Sequence, residues 1–162
     1  MDYVFKRIFG HIGNEEITKD LLSAILGREI TSVELDNNPI LEKDLSDSKV
    51  GILDIKAKID KKIDVDVEMQ IVDKNNMENR LLYYWSSMYY NTVKAGQDYL
   101  KSRKVIIILI SNYNLKSTEN IDSYISKWKI LNDKNVNISL TDKLEFYIIE
   151  LPKFEKYKDT EN

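Results

Sequence analysis

The 162-residue chain has no cysteine, which excludes disulfides, thiolate nucleophiles and zinc–cysteine sites. A reducing cytoplasm is the default setting for such a chain. It has one histidine, His11, so multi-histidine metal centres are excluded. A nucleophile–histidine triad would have to pass through His11, and no nucleophile motif accompanies it. His11 reads instead as a residue at a helix end or in the loop beyond it. No apolar run approaches the length of a membrane span. The opening Met1-Asp2-Tyr3-Val4-Phe5-Lys6-Arg7 lacks the basic-then-apolar order of a signal peptide. Positive charge is also in short supply: the net charge is −3, which counts against binding DNA by simple phosphate coating. A nuclease stays compatible with that balance, because a metal site needs acidic residues. Any catalysis must rest on carboxylates, amides, lysines and tyrosines.

Hydrophobic residues at 43% and charged residues at 31% are those of a globular protein, and the length suffices for one domain with a core. Phe5, Ile8, Phe9 and Ile12 follow helical spacing, with Asp2 as N-cap and Gly10 and Gly13 as terminators. Asn14 is placed to cap a second helix that faces Ile17, Leu21 and Ile25 inward, with Leu22 and Leu26 beside them, and stops at Gly27. Thr31 to Leu35 reads as a short strand broken by Asn37-Asn38-Pro39. A long helix is expected from Asn75 or Asn76 to about Tyr99, with Leu81, Leu82, Trp85, Met88, Tyr89 and Val93 at helical spacing. Val105-Ile106-Ile107-Ile108-Leu109-Ile110 is a β-branched run, the pattern of a central strand buried on both faces. Ser123 to Leu131 and Lys143 to Leu151 are further strand candidates, the second closed by Pro152. Residues 1–154 are expected to form the domain, and residues 155–162 a charged, disordered tail.

The most informative stretch is Leu53-Asp54-Ile55 followed by Asp64-Val65-Asp66-Val67-Glu68-Met69-Gln70. Both segments alternate, and the break at Asp60-Lys61-Lys62 is short enough for a hairpin. A three-residue loop pairs Ile59 with Ile63. Lys58 then faces Asp64, Lys56 faces Asp66, and Asp54 lies across from Glu68. Such partners sit roughly 5 Å apart, and two carboxylates at that distance repel by about 3 kcal/mol at an effective dielectric near 20. A divalent cation, a bound proton or a nearby lysine would relieve the repulsion. A four-residue loop would instead pair Asp54 with Gln70 and set Lys56 against Glu68. A solvated mixed-charge face with no chemistry is the bland reading of either register.

An Asp on one strand and Glu-x-Gln on the next, followed by a long helix and a buried strand, resembles the PD-(D/E)XK nuclease superfamily. The chain is most similar to its Rpn family of recombination-promoting nucleases and transposases. The similarity runs through Asp2-Tyr3-Val4-Phe5-Lys6-Arg7-Ile8-Phe9-Gly10, Leu53-Asp54-Ile55, Val67-Glu68-Met69-Gln70, Arg80-Leu81-Leu82-Tyr83-Tyr84-Trp85, Gly96-Gln97-Asp98-Tyr99 and Ile149-Glu150-Leu151-Pro152-Lys153-Phe154. Each piece is weak alone; their order and spacing carry the likeness. Members often continue beyond the last piece, so a fragment or a short member is expected.

The resemblance implies an α/β, restriction-endonuclease-like fold: a four-stranded mixed β-sheet core flanked by helices. It also implies Mg²⁺-dependent (or Mn²⁺-dependent) cleavage of DNA phosphodiesters, linked to recombination or mobile elements. Asp54 and Glu68 would be metal ligands, with the backbone carbonyl of Met69 completing the site. Gln70 would orient the attacking water or contact the phosphate, where the superfamily most often has Lys. Because Gln carries no charge, Lys6 and Arg80 are the candidate replacement cations; each also reads as an ordinary surface cation. Asp2 either approaches the metal or merely caps its helix. Tyr84, with Tyr83, Tyr89 and Tyr90, either stacks on unpaired bases or belongs to the helix core. DNA is the implied partner. A nuclease that cuts both strands often works as a homodimer, although no dimer surface is legible. A catalytically inactive module that binds DNA or protein is the alternative.

Overall fold

The computed structural model describes residues 2–36 and 54–160, with Asp2 and residues 157–160 described by their backbone alone. The Asn37-Asn38-Pro39 break and Leu53 lie outside the described residues. The described residues form α1 (Asp2–Phe9), α2 (Glu15–Leu26), β1 (Val33–Leu35), β2 (Ile55–Ile59), β3 (Ile63–Gln70), α3 (Met77–Tyr90), β4 (Lys104–Ser111), β5 (Ile125–Trp128), β6 (Leu144–Glu150) and α4 (Leu151–Thr160). The strands make one mixed sheet in the order β1-β2-β3-β4-β6-β5. β3, β4 and β6 run parallel, whereas β1, β2 and β5 pair antiparallel. The sheet is therefore wider than the four strands expected, because β1 and β5 extend its edges.

β4 lies between β3 and β6, and every residue from Val105 to Ser111 is buried. That placement is what its unbroken apolar run demands, since helices cover both faces of a sheet centre. One face carries Val65, Val67 and Met69 beside Ile106, Ile108 and Ile110, and packs on Phe5 and Leu22. The other carries Val105, Ile107 and Leu109, and packs on Met77, Leu81, Tyr84 and Met88 of α3.

Four expectations change. Ile8, Ile12, Ile17 and Leu82 are exposed, because the helices touch the sheet along narrower stripes led by Phe5, Leu22 and Leu81. α3 ends at Tyr90, well short of Tyr99. There Thr92 turns back, its N–H at 3.0 Å and its hydroxyl at 2.7 Å from the Tyr89 carbonyl. Pro152 does not close a strand but sits in the first turn of α4, where its missing N–H leaves no helical bond unmade. α4 also continues to Thr160 through most of the stretch expected to be disordered. No helix among the described residues is long and apolar enough to cross a membrane.

Candidate active site

The β2–β3 hairpin adopts the three-residue register. Ile59 pairs with Ile63, Lys58 with Asp64 and Lys56 with Asp66. Asp60 and Lys61 turn the chain with φ of 50° and 59°, and the Lys62 N–H closes the turn on the Ile59 carbonyl at 3.1 Å. The Asp60 carboxylate holds the turn to the chain before β1, accepting from Thr31 N at 2.8 Å and Arg28 at 3.0 Å. Partial burial raises its pKa, but the Arg28 and Thr31 hydrogen bonds outweigh that and bring it down to about 2.

The expected cross-strand ion pairs do not form, although the register is right. Lys56 reaches sideways to Asp36 at 2.9 Å. Asp64 is taken by Arg103, with both contacts at 2.9 Å. Asp66, fully buried, is left with neither carboxylate oxygen accepting a hydrogen bond.

Continuing the register by one residue sets Asp54 opposite Glu68. The Asp54 N–H donates to Glu68 Oε1 at 3.1 Å, and the Met69 N–H donates to Asp54 Oδ2 at 2.8 Å. The two carboxylates are thus laced to each other's backbone at one end of the sheet. Met69 meets Asp54 through its N–H; the carbonyl expected to complete the site belongs to the same residue.

Two helices bring cations to this end. α1 places Lys6 Nζ 2.6 Å from Asp54 Oδ1. Its position is fixed by the corner with α2: Asn14 Nδ2 donates to the Ile8 carbonyl at 2.8 Å, and Thr18 Oγ1 to the Phe9 carbonyl at 2.6 Å. Asn14 therefore satisfies the end of α1 and makes no side-chain bond to cap α2. Gly10 completes the corner. A Cβ there would lie 2.8 Å from the Lys6 carbonyl and 3.2 Å from Ile55 Cγ1, so only glycine lets α1 end this close to the strand after Asp54. From the other face, α3 extends Arg80. Its Nη1 donates to Gln70 Oε1 at 3.3 Å, and Nη2 lies 3.6 Å from Glu68 Oε2. Nε and Nη2 donate to the Tyr84 hydroxyl at 3.3 and 2.9 Å.

The structure thus brings Asp54, Glu68, Met69, Gln70, Lys6 and Arg80 together. Tyr84 stands behind Arg80 with its ring buried in the α3 core, so it braces the guanidinium and offers no face for a base to stack on. Asp2 is the first residue of α1, and its side chain lies outside the described residues. Asp66 was not expected as a site neighbour. Alternation alone does place it beside Glu68 on one face, but the apparent pairing with Lys56 masked it.

Charge is incompletely balanced here. Burial pushes the Glu68 carboxyl up, the Asp54 charge pushes it further, and the Asp54 N–H with Arg80 and Lys6 only partly offset this, leaving it at about 7. Burial, then the Glu68 and Asp54 charges, raise Asp66 well above the usual carboxylate range. Among the described residues, no three or more His, Asp or Glu are grouped to hold a metal ion. Two carboxylates with backbone oxygen still fit Mg²⁺ or Mn²⁺, which take hard oxygen donors; Mg²⁺ in particular keeps several waters. The under-compensated Glu68 is the observation that makes an added cation favourable.

Compared with known families, residues 1–162 match the family described as PD-(D/E)XK nuclease family transposase. No curated protein and no solved structure matches the chain.

Proposed function

The chain belongs to the PD-(D/E)XK nuclease family transposases, and from that premise we propose that it is a metal-dependent endonuclease hydrolysing DNA phosphodiester bonds at Asp54, Glu68 and Gln70. The carrying observation is the Asp54–Glu68 pair at the sheet end with Lys6 and Arg80 converging on it. Asp54 and Glu68, with backbone oxygen at Met69, would hold Mg²⁺ or Mn²⁺. When bound, such an ion lowers the pKa of water and offsets phosphate charge. Gln70, held by Arg80 through its Oε1, keeps its amide beside Glu68 to orient the water or a phosphate oxygen. Lys6 and Arg80 supply the positive charge that Gln70 lacks, and Tyr84 fixes Arg80 with two hydrogen bonds so that its fork faces the carboxylates.

The test is nicking of supercoiled DNA with Mg²⁺ or Mn²⁺, beside Asp54→Ala and Glu68→Ala. Wild type should nick only with metal, and both variants should fall to background. Equal nicking by all three would sink the reading. Gln in place of the superfamily's usual Lys favours a second reading, an inactive DNA-binding module. A metal-independent gel shift without nicking is its signature.

A further inference from the structure

At the opposite end of the sheet from Glu68 lies a cavity of about 370 Å³, with Lys62, Lys104, Lys127, Arg28, Glu145 and Tyr147 in its lining. Its floor is apolar, formed in part by Ile63 and Ile106. Three ammonium groups converge on one oxygen, Glu145 Oε1: Lys104 at 2.9 Å, Lys127 at 3.2 Å and Lys129 at 3.7 Å. Arg28 is matched by Asp60, whereas Lys62 has no ion-pair partner among the described residues. Four cations and two carboxylates line the cavity, an excess of two positive charges to which Lys129 adds from beside it, within a chain whose net charge is −3.

Lys104 is partly covered, and the exposed Lys127 and Lys129 are tethered at their ammonium ends by Glu145. Lys127 lies over the Tyr147 ring at 5.0 Å, and the Tyr147 hydroxyl donates to Glu145 Oε2 at 3.3 Å. Burial works against the charge of Lys127, but hydrogen bonds with Tyr147 and Glu145 outweigh it and raise its pKa. Glu145 is itself buried. The cluster is the inverse of the carboxylate site: like charges gathered in a hollow, stabilised by an ion of opposite sign.

We propose that this cavity binds a phosphate group, carried either by a nucleotide or by the backbone of a nucleic acid strand. Its volume lies in the range of small-molecule sites, and its apolar floor and Tyr147 ring suit a group attached to the phosphate. Glu68 lies six residues further along the chain than Lys62, which immediately precedes β3, about 20 Å at roughly 3.3 Å per residue. The pocket therefore stands apart from the hydrolytic site.

The test is titration calorimetry in EDTA with inorganic phosphate, a deoxynucleoside 5′-monophosphate and a single strand of about 12 nucleotides. Lys62→Glu removes a cation that has no ion-pair partner, and Lys127→Gln/Lys129→Gln keeps the Lys104–Glu145 pair, so thermal melts should match wild type. Each should weaken binding by about tenfold, while Lys94→Glu, in the exposed turn after α3, should leave it unchanged. Phosphate or mononucleotide binding lost in the pocket variants identifies a free nucleotide. Strand binding alone, lost in the same variants, identifies the backbone. Absence of binding by all three probes, no loss in the pocket variants, or equal loss in Lys94→Glu would overturn the proposal.

Discussion

Two carboxylates are buried at the carboxyl ends of parallel strands in this one sheet, and they have opposite surroundings. Glu150, ending β6, accepts from Leu115 N at 2.8 Å, Thr118 Oγ1 at 2.6 Å and Lys153 Nζ at 2.5 Å. Lys153 also donates to the Thr118 carbonyl at 2.8 Å. Every partner is short, and the cluster ties the loop after β4 to the start of α4. Glu68, near the end of β3, has one good donor, the Asp54 N–H; Gln70 and Arg80 stand off at 3.5 and 3.6 Å, too long for strong hydrogen bonds. Asp54 then adds like charge on the same side. A satisfied buried carboxylate is a staple; an unsatisfied one is a place for a ligand.

The largest expected effect tests that contrast directly. Glu150→Gln leaves the Lys153 ammonium buried without its counter-charge and should cost roughly 3–5 kcal/mol, read from urea denaturation at pH 8. Glu68→Gln in the same assay should be neutral or stabilising, because it removes a charge that the fold disfavours. If both variants lose similar stability, Glu68 is a staple too and the contrast fails.

pH sharpens the same comparison. The Glu68 carboxyl moves from 4.5 to about 7 on folding, so the native state holds that proton more tightly than the unfolded chain. Its contribution to stability is full below pH 4.5 and is lost as pH rises through about 7. That interval corresponds to on the order of 3 kcal/mol. Wild type should therefore weaken relative to Glu68→Gln between those pH values, and parallel pH profiles would refute it. Mg²⁺ should restore part of the loss above pH 7 in wild type and not in the variant.

What could be read in the sequence depended on range. The hairpin register was legible because charge and apolar alternation over neighbouring residues leave few pairings, and β4 because six consecutive apolar residues suit only a sheet centre. The convergence of Lys6 and Arg80 was legible only as a pair of candidates. Their distances depend on the α1–α2 corner and on which face α3 covers, neither of which is a local property. Asp66 was misread for the same reason. Its register partner is Lys56, yet the lysine is drawn to Asp36 on the neighbouring side while α3 roofs the carboxylate. The end of α3 and the helix through Pro152 turned on side-chain and backbone hydrogen bonds that periodicity does not record.

Asp66 gives the smallest effect. Its two oxygens accept no hydrogen bond, and a buried polar group in that condition costs roughly 1–3 kcal/mol in mutational comparisons. Leucine branches at Cγ as aspartate does and removes the desolvated carboxyl from beside Glu68 and Asp54. Asp66→Leu should therefore raise the unfolding free energy read from urea denaturation at pH 8 by an amount in that range. A destabilised Asp66→Leu would mean that the carboxylate has a partner in solution. The end of β3 would then resemble the end of β6 more than the hydrogen bonds show.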